Sequence, residues 1–123
     1  MCIHLQVTWG HYIAMTRILK KYNFAIEMAG NQMTFSGYPG SISSGDDFNV
    51  MQPSQLVTME TTLVNYNDSL WDWVQPEESI FTTYRSVVAN RLANSGAEWA
   101  EIFSEYNSGT YNDEWLVADY KGS

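Results

Sequence analysis

Apolar and polar residues alternate with a period of two through Gln55–Val64, where Val57, Met59 and Leu63 fall on one side and Thr58, Glu60 and Thr62 on the other. Successive side chains of a β-strand point to opposite faces, so this stretch predicts a strand with one apolar face and one face of groups capable of chemistry. FAIEM (24–28) and QMTFSGY (32–38) alternate in the same way through Phe24, Ile26, Met28, Met33 and Phe35. Between them stands Gly30-Asn31, a pair that tolerates the positive φ of a tight turn, and a hairpin is predicted there. CIHLQVTW (2–9) and WLVADY (115–120) read as further strands, and the Gly-, Ser- and Pro-rich segment after Tyr38 as a loop.

Elsewhere the apolar spacing is helical. Tyr12, Met15, Leu19 and Tyr22 share one face of a helix predicted from Gly10 to Tyr22, with Arg17, Lys20 and Lys21 as its solvated C-terminal charge. A short helix is predicted over Asp68–Val74, closed by Pro76, and a longer one carrying Ile80, Phe81, Tyr84, Val87, Val88 and Leu92. Ser95-Gly96-Ala97-Glu98 has the form of a capping box, so a third helix follows with Trp99, Ile102, Phe103 and Tyr106 as its buried stripe. The order is strand, helix, three strands, helices, strand, with no internal repeat and no linker long enough to divide it. Helices packed on an antiparallel sheet, an α+β domain occupying residues 1–123, fit this order.

Composition sharpens the picture. With 45% apolar residues, five tryptophans and eight tyrosines, the chain is globular rather than disordered. Six basic against fourteen acidic residues leave a net charge of −8, which repels nucleic-acid phosphates and anionic lipid headgroups, so no nucleic-acid partner is expected. Cys2 is the only cysteine, which excludes an internal disulfide and a thiolate metal site. No apolar run is long enough to span a bilayer, and no charged-then-apolar leader is legible. Asn67-Asp68-Ser69 forms a glycosylation sequon, usable in a secreted protein.

Few generic motifs are present: no Gly-rich phosphate loop, no paired-histidine helix, no nucleophile elbow and no zinc spacing, so no cofactor and no metal are expected. His4 and His11 make a poor metal pair across a strand-to-helix boundary. Asp46-Asp47, in a Ser/Gly loop, reads as a turn cap in preference to an acid pair. NSGTYNDEW (107–115) places two asparagines, two hydroxyls and a glycine at the mouth of the last strand.

In chain order, TW, RILKKY, FSGYPGSISSGDDF, LVTMETT, VQP, VVANRLA, GAEWAEIF and NSGTYNDEWLVADYK resemble the phospholipase B-like family, from about Thr8 to Lys121. The resemblance implies an αββα N-terminal-nucleophile hydrolase, lysosomal or secreted, whose precursor cleaves itself to free a cysteine. That cysteine attacks an acyl ester or amide carbonyl while its own α-amine serves as base. An α-amine has a reference pKa of about 7.7–8.0, so part of it is neutral near pH 7 and can take the thiol proton.

By the same resemblance the nucleophile falls upstream of Met1, and the domain continues beyond the last strand, so the chain is expected to be an incomplete part of the domain. Its partners would be a lipid or other acyl substrate and the remaining segments of the precursor. A non-catalytic remnant, with no activity or only a binding role, is the competing expectation. The family's His-Asn-Thr-Trp pattern keeps only Thr8 and Trp9, with Gln6 and Val7 in the first two positions. Cys2 would become an N-terminal thiol if Met1 were removed, but it sits about one hairpin later than the family nucleophile and also suits a buried position.

The resemblance assigns catalytic roles to Thr62, the threonine of the family's ETT, to Asn107 as oxyanion donor, and to Trp9 as a pocket wall. Glu60 and Asn112 follow as substrate-binding residues, Asn112 being second choice for the oxyanion. Local chemistry offers other readings: Asn107-Ser108-Gly109 can simply end a helix, and a tryptophan at a strand-helix junction can be core. Arg85 and Arg91 are expected to pair with acids on neighbouring helices.

Overall fold

The computed structural model describes residues 10–44 and 48–121. The predicted first strand, with Cys2, His4, Thr8 and Trp9, and the Asp46-Asp47 pair lie outside the described residues. Among the described residues five strands form one antiparallel sheet in sequence order: β1 (Ile18–Asn23), β2 (Gln32–Gly37), β3 (Asn49–Gln52), β4 (Leu56–Thr61) and β5 (Glu114–Asp119). The long connection from β4 to β5 carries a 3-10 turn at Asp68–Trp73 and two helices, α1 (Thr82–Leu92) and α2 (Gly96–Ser104). The architecture is therefore α+β, as the order of periodicities predicts.

The register decides which side chains share a face. Tyr22 pairs with Met33, Met33 with Met51, and Met51 with Leu56, while Phe35 pairs with Asn49, Asn49 with Thr58, and Thr58 with Val117. These residues line the side on which the core forms, where Met33, Phe35, Met51 and Leu56 pack with Ala89 and Ala93 of α1 and its C-cap, and with Trp99 of α2. Trp99 stacks on Phe103 at 4.8 Å and meets Trp115 of β5 at 5.2 Å.

Several expectations are corrected. The helix predicted over Gly10–Tyr22 is a 3-10 turn at Tyr12–Met15 followed by β1. The 3.6-residue spacing of Tyr12, Met15, Leu19 and Tyr22 is real, but Ile18–Asn23 gains a complete ladder by pairing along β2, and Tyr22 meets Phe35 edge-on at 5.3 Å. Tertiary pairing outweighs a weak helical preference. The basic residues follow: Arg17 lies over the Tyr38 ring at 4.3 Å, and Lys20 donates to the Ser41 carbonyl.

FAIEM, the predicted first arm of the hairpin, is loop. The hairpin is β1–β2, and its eight-residue connection, 24–31, is closed by Phe24 N–H donating to the Asn31 carbonyl at 2.9 Å. Gly30 is needed for space: a Cβ there would stand 2.2 Å from the Asn90 carbonyl oxygen.

The polar face of β4 is buried. Thr58 is 0% exposed and Glu60 is buried beside it, because that face points at the helices. On α1, likewise, Arg85, Ser86, Ala89 and Asn90 are buried, whereas the apolar series is turned outward, with Phe81 80% exposed. Small Ala89 and Ala93 let the helix approach the sheet closely, and Asn90 then reaches the Thr58 hydroxyl at 3.2 Å and the Trp99 indole N–H at 2.8 Å. Bulky Tyr84 and Val88 could not occupy that gap.

Among the described residues neither Arg85 nor Arg91 pairs with an acid. Arg91 donates to the Gly30 carbonyl at 2.7 Å and lies over Phe24 at 4.6 Å, and Arg85 is taken up by neutral acceptors. The third helix starts as predicted, Ser95 Oγ accepting from Glu98 N–H at 3.2 Å. Glu98 reaches back to Asn94 N–H at 2.8 Å, one residue beyond the usual capping-box partner. Of its predicted stripe Trp99 is buried and Ile102 and Phe103 half-buried, while Tyr106, past the helix end with φ 54°, is exposed.

Candidate active site

The segment between α2 and β5 is tightly constrained. Tyr106, Tyr111 and Asp113 all have left-handed φ, at 54°, 48° and 54°, and Gly109 stands at 86°. Only glycine adopts this region without cost; each of the others carries on the order of 1–3 kcal/mol of backbone strain, which surrounding contacts must hold. Ile80 N–H donates to the Tyr106 carbonyl and Gln75 N–H to that of Ser108, both at 2.9 Å. Thr82 Oγ1 donates to the Tyr111 carbonyl at 2.6 Å, and Ser108 and Thr110 join their hydroxyls at 2.9 Å.

Arg85, 3% exposed, is the centre of this arrangement. Its Nε donates to the Ile80 carbonyl at 3.1 Å and its Nη1 to the Phe103 carbonyl, and the guanidinium lies 4.5 Å over the Phe103 ring. Nη2 is shared among Asn112 Oδ1 at 2.9 Å, Thr82 Oγ1 at 3.3 Å and Asn107 Oδ1 at 3.4 Å. Burial pulls the guanidinium pKa down from its ordinary value, yet arginine keeps its charge in proteins.

Asn107 Oδ1 also accepts Gly109 N–H at 2.8 Å. With two donors on the oxygen, the planar carboxamide must turn its NH2 the other way, and Asn107 as a residue is exposed. Asn112 is held at both ends, by Arg85 on its side chain and by the Trp115 indole on its carbonyl at 3.2 Å. An open cleft of about 520 Å³ begins one residue away at Ser108 and is lined by Phe81, Thr82, Tyr84, Thr110 and Tyr111. Asp113, which follows Asn112 in the chain, has a carboxyl pKa raised by desolvation.

Thus Asn107 and Asn112, separated in the sequence by four residues, meet at one guanidinium. Thr62 is exposed just past β4; because Thr61 pairs with Glu114, it leaves the sheet at the end where Asn112 and Asp113 enter. Glu60 is buried opposite Trp115. Thr58 is interior, bound to Asn90 rather than presented to a cleft. Sequence reasoning gave Arg85 only an acid partner and passed over Thr82; the available signal was a basic residue four positions before Ala89, on the small-residue side of a helix. Among the described residues no group of three or more His, Cys, Asp or Glu could hold a metal ion, and no helix is long and apolar enough to cross a membrane.

The family model for Phospholipase B matches residues 2–122. The chain belongs to the phospholipase B family. It is 49% identical to phospholipase B-like 2 of Mus musculus, over 93% of this chain and 20% of that protein. Identity to phospholipase B-like 2 of Homo sapiens is 46%, over 93% of the chain and 21% of the relative, and to phospholipase B-like 1 of Caenorhabditis elegans 48%, over 94% and 20%. The chain spans about a fifth of the length of these phospholipase B-like relatives.

Proposed function

We propose that this chain is part of a hydrolase that cleaves an acyl ester or amide bond through an N-terminal cysteine outside these 123 residues, in a lysosomal or secreted protein. The observation that carries the reading is the convergence of Asn107 and Asn112 on Arg85, oxygens inward, beside an open cleft. In this mechanism the cysteine thiol passes its proton to its own α-amine and the sulfur attacks the acyl carbonyl. The carbonyl oxygen becomes an oxyanion and takes the N–H of Asn107, with Asn112 beside it. The protonated amine returns a proton to the leaving alcohol or amine, and water then hydrolyses the thioester. Thr62, at the same end of the sheet, would contact the substrate, and Trp9 would wall the pocket.

An αββα sandwich is the fold that this chemistry uses, and the sheet face away from the helices supports it. Leu19 of β1 is 71% exposed there and Leu116 of β5 56%, side chains suited to receive a second sheet from the rest of the precursor.

The test is turnover of a fatty-acyl ester and a fatty-acyl amide by the longer polypeptide that carries the upstream cysteine. Replacing that cysteine by alanine should abolish turnover, and Asn107→Ala should lower kcat by roughly 10²–10³-fold. The 123-residue chain made alone should turn over neither substrate. Activity of that short chain that disappears in Cys2→Ala would overturn the reading and make Cys2 the nucleophile.

A further inference from the structure

We infer that Asn67 carries an N-linked glycan, and that the first sugar of that glycan lies in the groove between Trp71 and Tyr111. The inference rests on the reading above of a lysosomal or secreted protein, because the transfer occurs on chains that enter the secretory pathway.

Asn67-Asp68-Ser69 is the only Asn-X-Ser/Thr triplet in the 123 residues, and its middle residue is not proline. In the transfer, Asn67 Nδ2 bonds to the anomeric carbon of a lipid-linked oligosaccharide diphosphate. The bond from that carbon to the diphosphate oxygen breaks, the lipid diphosphate leaves with the electron pair, and Nδ2 gives up one proton. A glycan is compatible with the finished fold only if this nitrogen ends at the surface with no contact to lose.

Asn67 meets both conditions. It is exposed, as are Asp68 and Ser69. Its Oδ1 accepts the Ser69 hydroxyl at 2.7 Å and the Ser69 N–H at 3.2 Å, which engages the oxygen and leaves Nδ2 without a hydrogen bond among the described residues. A sugar on that nitrogen therefore displaces nothing.

The surroundings suit a sugar. Asn67 itself lines a groove of about 190 Å³, together with Asn65, Leu70, Trp71, Thr110 and Tyr111. Sites for drug-sized ligands run to roughly 300–1,000 Å³, so this one matches a single ring. Trp71 is 69% exposed and Tyr111 73%, and aromatic rings offer apolar faces to the C–H face of a pyranose. Asn65 and Thr110 offer hydrogen-bonding groups to its hydroxyl and acetamido substituents. Tyr111 is a fixed wall, held at φ 48° with its carbonyl accepting the Thr82 hydroxyl at 2.6 Å. The same stretch leaves Leu63, Val64, Tyr66, Trp71 and Trp73 exposed, an apolar strip that water does not favour. A glycan on Asn67, in the middle of this strip, covers it covalently.

The experiment expresses the longer polypeptide in cultured animal cells behind a supplied cleavable secretion leader, as wild type, Asn67→Gln, Ser69→Ala, Ser69→Thr and Trp71→Ala. Peptide mass spectrometry after amidase release in ¹⁸O water should label position 67 in wild type, Ser69→Thr and Trp71→Ala. The label should be lost in Asn67→Gln and Ser69→Ala, each of which should migrate as one glycan lighter. Occupancy is read on total cell protein as well as on secreted protein, so retention in the cell does not hide it. Under native conditions Trp71→Ala should release the glycan to the amidase roughly two- to tenfold faster than wild type, because stacking no longer shields the first sugar. An unlabelled Asn67 in wild type overturns the inference, and equal release rates overturn the place given to the sugar. The same polypeptide behind its own N-terminal sequence tests the location separately. Secretion with Asn67 bare sinks the glycan alone, whereas retention in the cytosol sinks the location reading and the inference that rests on it.

Discussion

The Thr58 hydroxyl of β4 donates to the Asn90 carboxamide oxygen of α1 at 3.2 Å, both residues being buried, and the Trp99 indole N–H completes the same oxygen at 2.8 Å. Two polar residues thus replace apolar contact at the centre of the helix–sheet interface. Thr58→Val removes one donor and leaves Asn90 its indole partner, so it should cost about 1 kcal/mol. Asn90→Leu strands both the hydroxyl and the indole N–H and should cost about 3 kcal/mol or more. Urea midpoints of the two variants check the order, which reverses if Asn90 is only filling space.

Gly30 should not tolerate a side chain. Its Cβ would lie 2.2 Å from the Asn90 carbonyl and 3.2 Å from the Arg91 Cα, both backbone atoms that cannot swing aside. Gly30 N–H also donates to the Arg91 carbonyl at 2.9 Å, so retreat breaks a hydrogen bond. Gly30→Ala is expected to cost about 2 kcal/mol or more, measured by thermal unfolding.

Asp113 gives a pH-dependent prediction. Desolvation raises its carboxyl pKa, so the folded state holds that proton more tightly than the unfolded state, where the value is 3.8. The carboxylate therefore destabilises the fold fully above its raised folded pKa, and the penalty fades as pH falls through that value to below the unfolded one. Asparagine carries no charge and suits the left-handed φ of 54° at this position. Asp113→Asn should melt higher than wild type at pH 7, with the difference vanishing below about pH 4. A constant difference across that range would place the effect in the backbone and not in the charge.

The chain made alone should self-associate. Phe81 at the N-cap of α1, Val88 and Leu92 on that helix, and Leu19 and Leu116 on the sheet are exposed, forming apolar surfaces that a monomer in water does not favour. Sedimentation should show mass above 14.0 kDa rising with concentration. Combining Phe81→Ser with Leu116→Lys should lower it.

How much was legible in the sequence follows the range of the forces involved. β2, β4, β5, the Asp68–Trp73 turn and the Ser95 cap are set by interactions within a few residues, namely alternation and local capping, and a linear reading finds them. Their antiparallel α+β assembly was legible too. Tertiary structure alone decided that Ile18–Asn23 is a strand, since its ladder with β2 outweighs a helical spacing. It also decided that Thr58 and Asn90 face inward while Phe81 and Tyr84 face out: periodicity sorts side chains onto two faces but does not say which face meets the core. The union of Asn107 and Asn112 at Arg85 depends on where a helix and a distant loop come to rest.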